Sequence, residues 1–327
     1  MVNLETTYLG LKLKNPVIIA SSGLTNNVDK IIELEKNGAA AVVLKSLFEE
    51  QILAESAYNI SMDQSFGHNV HNYITSTLRD TRISDYIKLI KNSKASVSIP
   101  IIASINCVSV SEWVDFTKKI EAAGADAIEL NIGLLPSNHE ISSEQNEQLY
   151  FDILEKVRKN TKLPIALKMS QYSAGLANLI KKLSWTSYVD SFVLFNRYFS
   201  PDINTETMEV TSSGVFSSSD DISVSLRWVA IMSNVIELPI AATTGVHQGN
   251  DVVKQILAGA NCVQIASTIY QNGPKHIQTI LGDLEKWMEK KSYKNIDDFR
   301  GKMSFKREQN TVAFERIQFM KHFGSIE

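Results

Sequence analysis

The chain has 327 residues, 44% hydrophobic and 21% charged, an ordinary globular balance long enough to bury a sizeable core. A net charge of −3 with no local Lys/Arg cluster offers no basic footprint for nucleic acid, and apolar runs such as Ala39–Leu44 are far too short to span a bilayer. Only Cys107 and Cys262 are present, which excludes a disulfide framework. With a polar start at Leu4-Glu5-Thr6-Thr7 instead of a signal peptide, this predicts a soluble cytoplasmic protein.

In chain order, short apolar runs predict strands at Pro16–Ala20, Ala41–Leu44, Ile101–Ile105, Ala127–Asn131, Ile165–Met169, Ser191–Phe195, Ile240–Thr243 and Val263–Ala266. Amphipathic stretches between and after them predict helices at Val28–Lys36, Ser84–Asn92, Ser111–Ala123, Glu144–Asn160, Ala174–Leu183, Asp221–Asn234, Asp251–Ala258 and Pro274–Lys290. Three helices run into a Gly-Ala pair before the next strand, at Gly38-Ala39, Gly124-Ala125 and Gly259-Ala260. Glycine there is the left-handed residue that stops a helix and turns the chain back to the sheet. Three other strands are introduced by proline, at Pro100, Pro164 and Pro239, where a missing N–H is tolerated.

Alternating strands and helices, with near-continuous apolar strands, predict an α/β fold with a parallel sheet covered by helices. The count of eight favours closure into a (β/α)8 TIM barrel, and no glycine-rich dinucleotide fingerprint follows the first strand. Residues 1–300 are read as the barrel. Residues 301–327 are read as a helical extension of the same domain, with one more helix at Thr311–His322. Three connections, Phe48–Arg82, Ile132–Ser143 and Asn196–Asp220, are too long for turns. All follow strands, on the face where barrel enzymes place their sites, and read as lids.

The tips of the strands carry the chemistry. They hold Ala20-Ser21-Ser22-Gly23, Lys45-Ser46, Ser104 and Asn106, Asn131, Lys168 and Asn196. The last two strands end in Thr243-Thr244-Gly245 and Ala266-Ser267-Thr268, small residues that let a phosphate approach the backbone, as in many barrel phosphate sites. Each residue alone has a bland reading, a solvated lysine or a turn-forming asparagine. Together, two lysines that alternate with core positions and three asparagines converge on one rim. A partly buried ammonium group there needs an anionic partner.

These motifs resemble the dihydroorotate dehydrogenase family over nearly the whole chain, from about Leu4 to about Arg300. The marks are Asn15-Pro16 through Gly23, Leu44-Lys45-Ser46, Ile128-Glu129-Leu130-Asn131, Leu167-Lys168, Thr244-Gly245-Val246 and Gly259-Ala260 through Thr268. The resemblance implies an FMN-binding barrel that oxidises dihydroorotate to orotate in pyrimidine synthesis by hydride transfer to flavin N5. By the same resemblance, Ala20, Ser21, Gly23 and Ser46 line the flavin ring. Lys168 lies at its pyrimidine edge, and Lys45 contacts both flavin and the substrate carboxylate. Asn106, Asn131 and Asn196 bond flavin or substrate. Ser213, Gly214, Thr244, Gly245, Ala266, Ser267 and Thr268 hold ribityl chain and phosphate. Dimeric relatives imply a homodimer. With no cysteine cluster in the chain, any iron–sulfur centre belongs to an electron-acceptor partner protein.

Departures from the family pattern bear on the substrate. The family follows its strand-four asparagine with a Ser-Cys-Pro-Asn loop whose cysteine removes the substrate proton. Here Asn131 is followed by Ile132-Gly133-Leu134-Leu135-Pro136-Ser137-Asn138, with leucine at the cysteine position. Ser137 and His139 are the nearest candidates for a base, histidine having the better ordinary pKa and serine needing activation. The family's substrate-binding run after strand two is replaced by Ser65-Phe66-Gly67-His68-Asn69-Val70-His71-Asn72, leaving Asn69 as a substrate candidate and no third ligand for a metal. Arg197-Tyr198 after Asn196 narrows the pocket and adds a cation for an anionic substrate. Three other readings stay open: the same flavin barrel acting on another dihydropyrimidine-like or unsaturated acid, a flavin protein without turnover, and a colourless barrel lyase using Lys168 as a Schiff-base amine.

Overall fold

The chain opens with an antiparallel hairpin, β1 (Thr6–Tyr8) and β2 (Leu11–Leu13), turned by Leu9 and Gly10 at φ of 53° and 71°. The structure, a computed structural model, describes residues 2–48, 68–106, 113–198, 200–212 and 214–305, without the side chains of 48, 68–78 and 113–115. The expectations for Cys107, Ser213 and a helix at Thr311–His322 lie outside the described residues, as do the side chains of His68, Asn69, His71 and Asn72.

Eight parallel strands follow: β3 (Val17–Ile19), β4 (Ala41–Val43), β6 (Ile101–Asn106), β7 (Ala127–Asn131), β8 (Ile165–Lys168), β9 (Ser191–Leu194), β12 (Ile240–Thr243) and β13 (Cys262–Ile265). Each pairs with the next, and β13 returns to β3 with Val263 opposite Val17, closing a TIM barrel. The short β5 (Leu47–Phe48) extends the second strand's path along β6. Outside lie α1 (Val28–Lys36), α2 (His68–Ser96), α3 (Trp113–Ala122), α4 (Ser143–Arg158), α5 (Leu176–Ser184), α6 (Ile222–Met232), α7 (Gly249–Ala258), a short α8 (Ser267–Asn272) and α9 (His276–Lys290).

Two of the three expected lids contain regular structure. The connection after β5 becomes helical at His68, well before the expected start at Ser84. Its first turns, His-Asn-Val-His-Asn-Tyr-Ile-Thr-Ser-Thr, carry weak helix formers, so local propensity gives no helix signal there. The connection after β9 carries a hairpin, β10 (Pro201–Asn204) with β11 (Glu209–Ser212), whose residues are almost all exposed. An exposed hairpin has no buried face and hence no apolar alternation to read. Residues 132–142 after β7 form a loop, as expected.

The proline and Gly-Ala strand starts mesh at the lower end of the barrel. Asp126, just before β7, accepts the first N–H of the neighbouring β6, from Ile101 at 2.7 Å, and also holds Lys94 at 2.8 Å. Asp190 before β9 does the same for Ile165 of β8 at 2.7 Å, and Asn261 before β13 for Ile240 of β12 at 3.1 Å. The donor N–H groups follow Pro100, Pro164 and Pro239, while those prolines' carbonyls accept from Val42, Ile128 and Phe192. Side-chain oxygens thus complete the ladder where the strands begin.

Side chains alternate across each strand. One set packs outward against the helices in the larger core. The other set, Ile18, Ala41, Val43, Ile102, Ala127, Ala166, Val193, Ala241 and Cys262, fills the lower barrel with Tyr8, Leu9 and Leu13 of the hairpin. Four alanines among them leave the room that Tyr8 occupies, so the hairpin plugs the bottom. Two residues higher on four strands, the inward positions turn polar: Ser104, Glu129, Lys168 and Gln264, all buried. That change of chemistry halfway up the barrel positions the site.

Asp126→Ala removes the acceptor of a buried strand N–H and is expected to cost about 1–3 kcal/mol in urea unfolding. Glu121 is held below its ordinary 4.5 by hydrogen bonds from the Thr161 hydroxyl and the Lys162 N–H. A depressed carboxyl stabilises above its unfolded pKa. Its contribution is therefore lost as the pH falls below about 4.5, and Glu121→Gln is expected to flatten the acid limb of the stability profile.

Candidate active site

The buried polar layer forms the floor of the site. Glu129, 1% exposed, projects from β7 into the barrel. Its Oε2 accepts a 2.6 Å hydrogen bond from Gln264 Nε2 of β13, and its Oε1 lies 3.8 Å from Lys168 Nζ of β8. The anionic partner that a buried Lys168 requires is therefore supplied by the protein itself. Glu129 Oε1, Gln264 Oε1 and, one layer higher, Asn131 Oδ1 are buried without a hydrogen-bond partner among the described residues. Burial pushes the Cys262 thiol well above its ordinary range, with Arg300 opposing and Glu129 adding, so Cys262 is a packing residue.

Above the floor lies a cavity of about 200 Å³ lined by Ala20 and Ser21, Lys168, Asn196 and Arg197, Thr244-Gly245, Gln264 and Ala266-Ser267. A second, of about 320 Å³, adjoins it through Phe195, Asn196, Arg197, Thr243 and Thr244 and reaches Gln171, Tyr172 and Tyr198. One wall is a chain of hydroxyls across the first three barrel strands. Ser21 Oγ and Ser46 Oγ are 2.9 Å apart and Ser46 Oγ and Ser104 Oγ 2.7 Å, and the Tyr86 hydroxyl takes the Ser104 N–H at 2.7 Å.

The opposite wall is a backbone cradle. Thr244 and Gly245 both sit in the left-handed region, at φ of 75° and 78°. A Cβ on Gly245 would collide with the Ile222 backbone nitrogen and stand 2.6 Å from its Cα. Glycine is thus required where this turn meets the start of α6. Across from it, Ser267 and Thr268 open α8, with Ser267 Oγ accepting the Ser217 N–H at 3.0 Å. Thr268 is fully buried and its hydroxyl donates to the His247 carbonyl, so it offers a ligand only its backbone.

Lys168, Ala20, Ser21, Asn196, Arg197, Thr244, Gly245, Ala266 and Ser267 line one cavity, with Ser46 behind Ser21. Asn106 and Asn131 end neighbouring strands in direct register, and Gly23 lies under the Tyr270 hydroxyl. Lys45 differs from its expectation: it is exposed on the rim, free of the burial cost that Lys168 carries. Arg197 is tied down, donating to the carbonyls of Gly214, Val215 and Phe216 at 3.0–3.4 Å and standing 3.8 Å from Asp221. Its guanidinium fixes the loop over the cavity. Ser137 and His139 lie exposed on the 132–142 loop, whose Gly133-Leu134 stretch reaches the site side: a Cβ on Gly133 would meet Asn196 Nδ2 at 3.3 Å and the Tyr198 hydroxyl at 4.0 Å.

Glu129 and Gln264 stand inside the family motifs without an expected role of their own, and Ser217 belongs to no motif. The available signal was an ionisable and an amide residue at inward positions of otherwise apolar strands. No group of residues suited to a metal occurs among the described residues, and none of their helices is long and apolar enough to cross a membrane.

The donor set fits FMN. An ammonium group and unpartnered amide oxygens suit a ring whose edge both donates and accepts, and the glycine-dependent cradle suits a phosphate. Fold and site define a flavin-type (β/α)8 barrel. The chain belongs to the dihydroorotate dehydrogenase family, whose sequence profile matches residues 3–288. It is 26% identical over 307 residues to the dihydroorotate dehydrogenase B (NAD(+)) catalytic subunit of Thermoplasma acidophilum, covering 92% of this chain and 99% of the relative. It is likewise 26% identical over 314 residues to the dihydroorotate dehydrogenase A (fumarate) of Lactobacillus delbrueckii subsp. bulgaricus, covering 93% and 100%.

Gly245→Ala should abolish copurification of flavin, read from the visible absorbance, and lower the melting temperature. Ser217→Ala, which removes a hydroxyl that lines the cavity 3.2 Å from His247 Nε2, should weaken flavin retention while leaving the fold intact.

Proposed function

We propose that this chain is an FMN-dependent oxidoreductase of CH–CH bonds that oxidises dihydroorotate to orotate in pyrimidine biosynthesis. The observation that carries the reading is Lys168, a buried ammonium group on the floor of a cavity rimmed by Ala20-Ser21, Thr244-Gly245 and Ala266-Ser267. FMN, when bound, supplies the two-electron acceptor for the hydride that leaves the substrate. Lys168 and Asn131 hold the pyrimidine edge of the ring, and Ala20, Ser21, Gly23, Ser46 and Asn106 line it. Ser213, Gly214, Thr244, Gly245, Ala266, Ser267 and Thr268 hold ribityl chain and phosphate.

The substrate carboxylate is met by Lys45, exposed at the rim, and the ring by Asn131, Asn196 and Asn69, which fix its orientation. Arg197 contributes positive charge and holds the loop that keeps water out. The proton from the neighbouring carbon passes to a residue of the 132–142 loop, Ser137 or His139. Alanine at the residue that accepts it should lower kcat by about 10²–10⁴-fold. The electrons leave to a separate acceptor chain, in keeping with relatives named as the catalytic subunit of an NAD(+) enzyme. A homodimer in the cytoplasm completes the reading.

Leu134 at the family's cysteine position favours a second reading, in which the same flavin barrel oxidises another dihydropyrimidine-like or unsaturated acid. Anaerobic absorbance separates the two. Dihydroorotate is expected to bleach the bound flavin of the purified protein. A yellow protein that stays yellow with dihydroorotate rejects that substrate and leaves the second reading or a flavin protein without turnover.

A further inference from the structure

Among the described charged side chains, Glu129 is the most deeply enclosed one that no catalytic step uses. It stands inside the barrel at 1% exposure, next to a layer of alanines and apolar residues, where an isolated carboxylate is costly. A barrel needing only packing at this height would carry an aliphatic residue, as it does one layer below at Ala127. Instead the carboxylate is aimed by a 2.6 Å bond from Gln264, while Oε1 keeps no hydrogen-bond partner and faces Lys168 Nζ from 3.8 Å. That separation is too long for a hydrogen bond but short for two charges in a medium of low dielectric. The ammonium keeps its N–H groups for the cavity while feeling a fixed negative charge behind it. Gln264 lines the cavity as well, so the same amide touches both the carboxylate and the cofactor space.

We propose that Glu129 is a positioning residue that acts through Lys168: it is the fixed counter-charge that holds the ammonium on the cavity floor and sets how strongly that positive charge stabilises electrons placed on the flavin. The inference rests on FMN occupying the cavity with its pyrimidine edge at Lys168. Lys168 favours the negative charge that reduction adds, and Glu129, one step further away, partly cancels it. The chain thereby fixes a flavin potential that an unopposed lysine would raise, so electrons acquired from the substrate remain able to leave to an acceptor.

The test is the midpoint potential of FMN in the purified full-length protein. Glu129→Gln keeps the shape and still accepts from Gln264, but removes the charge. The ratio of reduced to oxidised flavin at a fixed potential should rise on the order of tenfold, ~30 mV positive for a two-electron couple. Lys168→Gln should shift it in the opposite direction. Glu129→Asp keeps the charge but withdraws it by one methylene, and should shift the potential positive by less. A potential equal to wild type in the flavin-loaded position-129 variants overturns the proposal. Failure of both to fold also overturns it, because the carboxylate would then serve the barrel and not the flavin. Wild-type protein that takes up no FMN on reconstitution defeats the cofactor reading instead, an outcome distinct from a loaded protein with an insensitive potential.

Discussion

The interior of the barrel has to hold a charged pair, Glu129 and Lys168, inside a closed ring of strands, and much of the architecture follows from that demand. Two charges taken from water are stable only if each stays paired and the space around them is filled. Gln264 supplies the fixed donor, and the strands on either side set the separation by their register. Below them the ring narrows in side-chain size to alanines, and the N-terminal hairpin inserts Tyr8 to exclude water from beneath. Tyr8 itself is so enclosed that burial, with Cys262 and Glu129, drives its phenol far above the ordinary range. The pair is therefore dry on the lower side and open only toward the cavity.

The rim is built from a different economy of groups. On one side hydroxyls satisfy each other in series from Ser21 to Ser46 to Ser104, so that small polar residues can face a ligand without being left unpaired when none is near. On the other side the backbone itself is the recognition surface, and two consecutive left-handed residues, Thr244 and Gly245, set its course. Arg197 ties the intervening loop to this wall through three carbonyls. A residue that reads in sequence as a cation for the substrate also straps this loop, because residues 214–216 fold back within its reach.

The two sides of the mouth differ in chemistry. The strand tips carry lysine, asparagine, serine and glycine, whereas the β7–α4 loop carries Gly133-Leu134 and the connection after β9 carries Arg197, Tyr198 and an exposed hairpin. Strand tips are held by ladders on both sides and loops are not, so the tips hold a fixed geometry while the loops vary. Tyr198, edge-on to Tyr172 at 5.1 Å with its hydroxyl near Gly133, links these altered segments to one another.

The amino-acid sequence by itself determined the barrel, because glycine stops, proline starts and apolar runs are local signals. The strands came out within a residue or two, and Ala127–Asn131 and Ile240–Thr243 at their observed bounds. It also determined the chemistry of the strand tips, since an inward strand position next to a turn can be counted along the chain. Where local signals are weak, as in the poor helix formers of the first turns of α2 and the exposed hairpin β10–β11, the sequence does not mark the element. Only the tertiary structure decided which groups meet: that Lys168 faces Glu129 and Gln264 from two other strands, that Lys45 stays in solvent, and that Arg197 turns to carbonyls. Those outcomes depend on how the ring closes, and closure sets distances between residues far apart in the chain that no local pattern encodes.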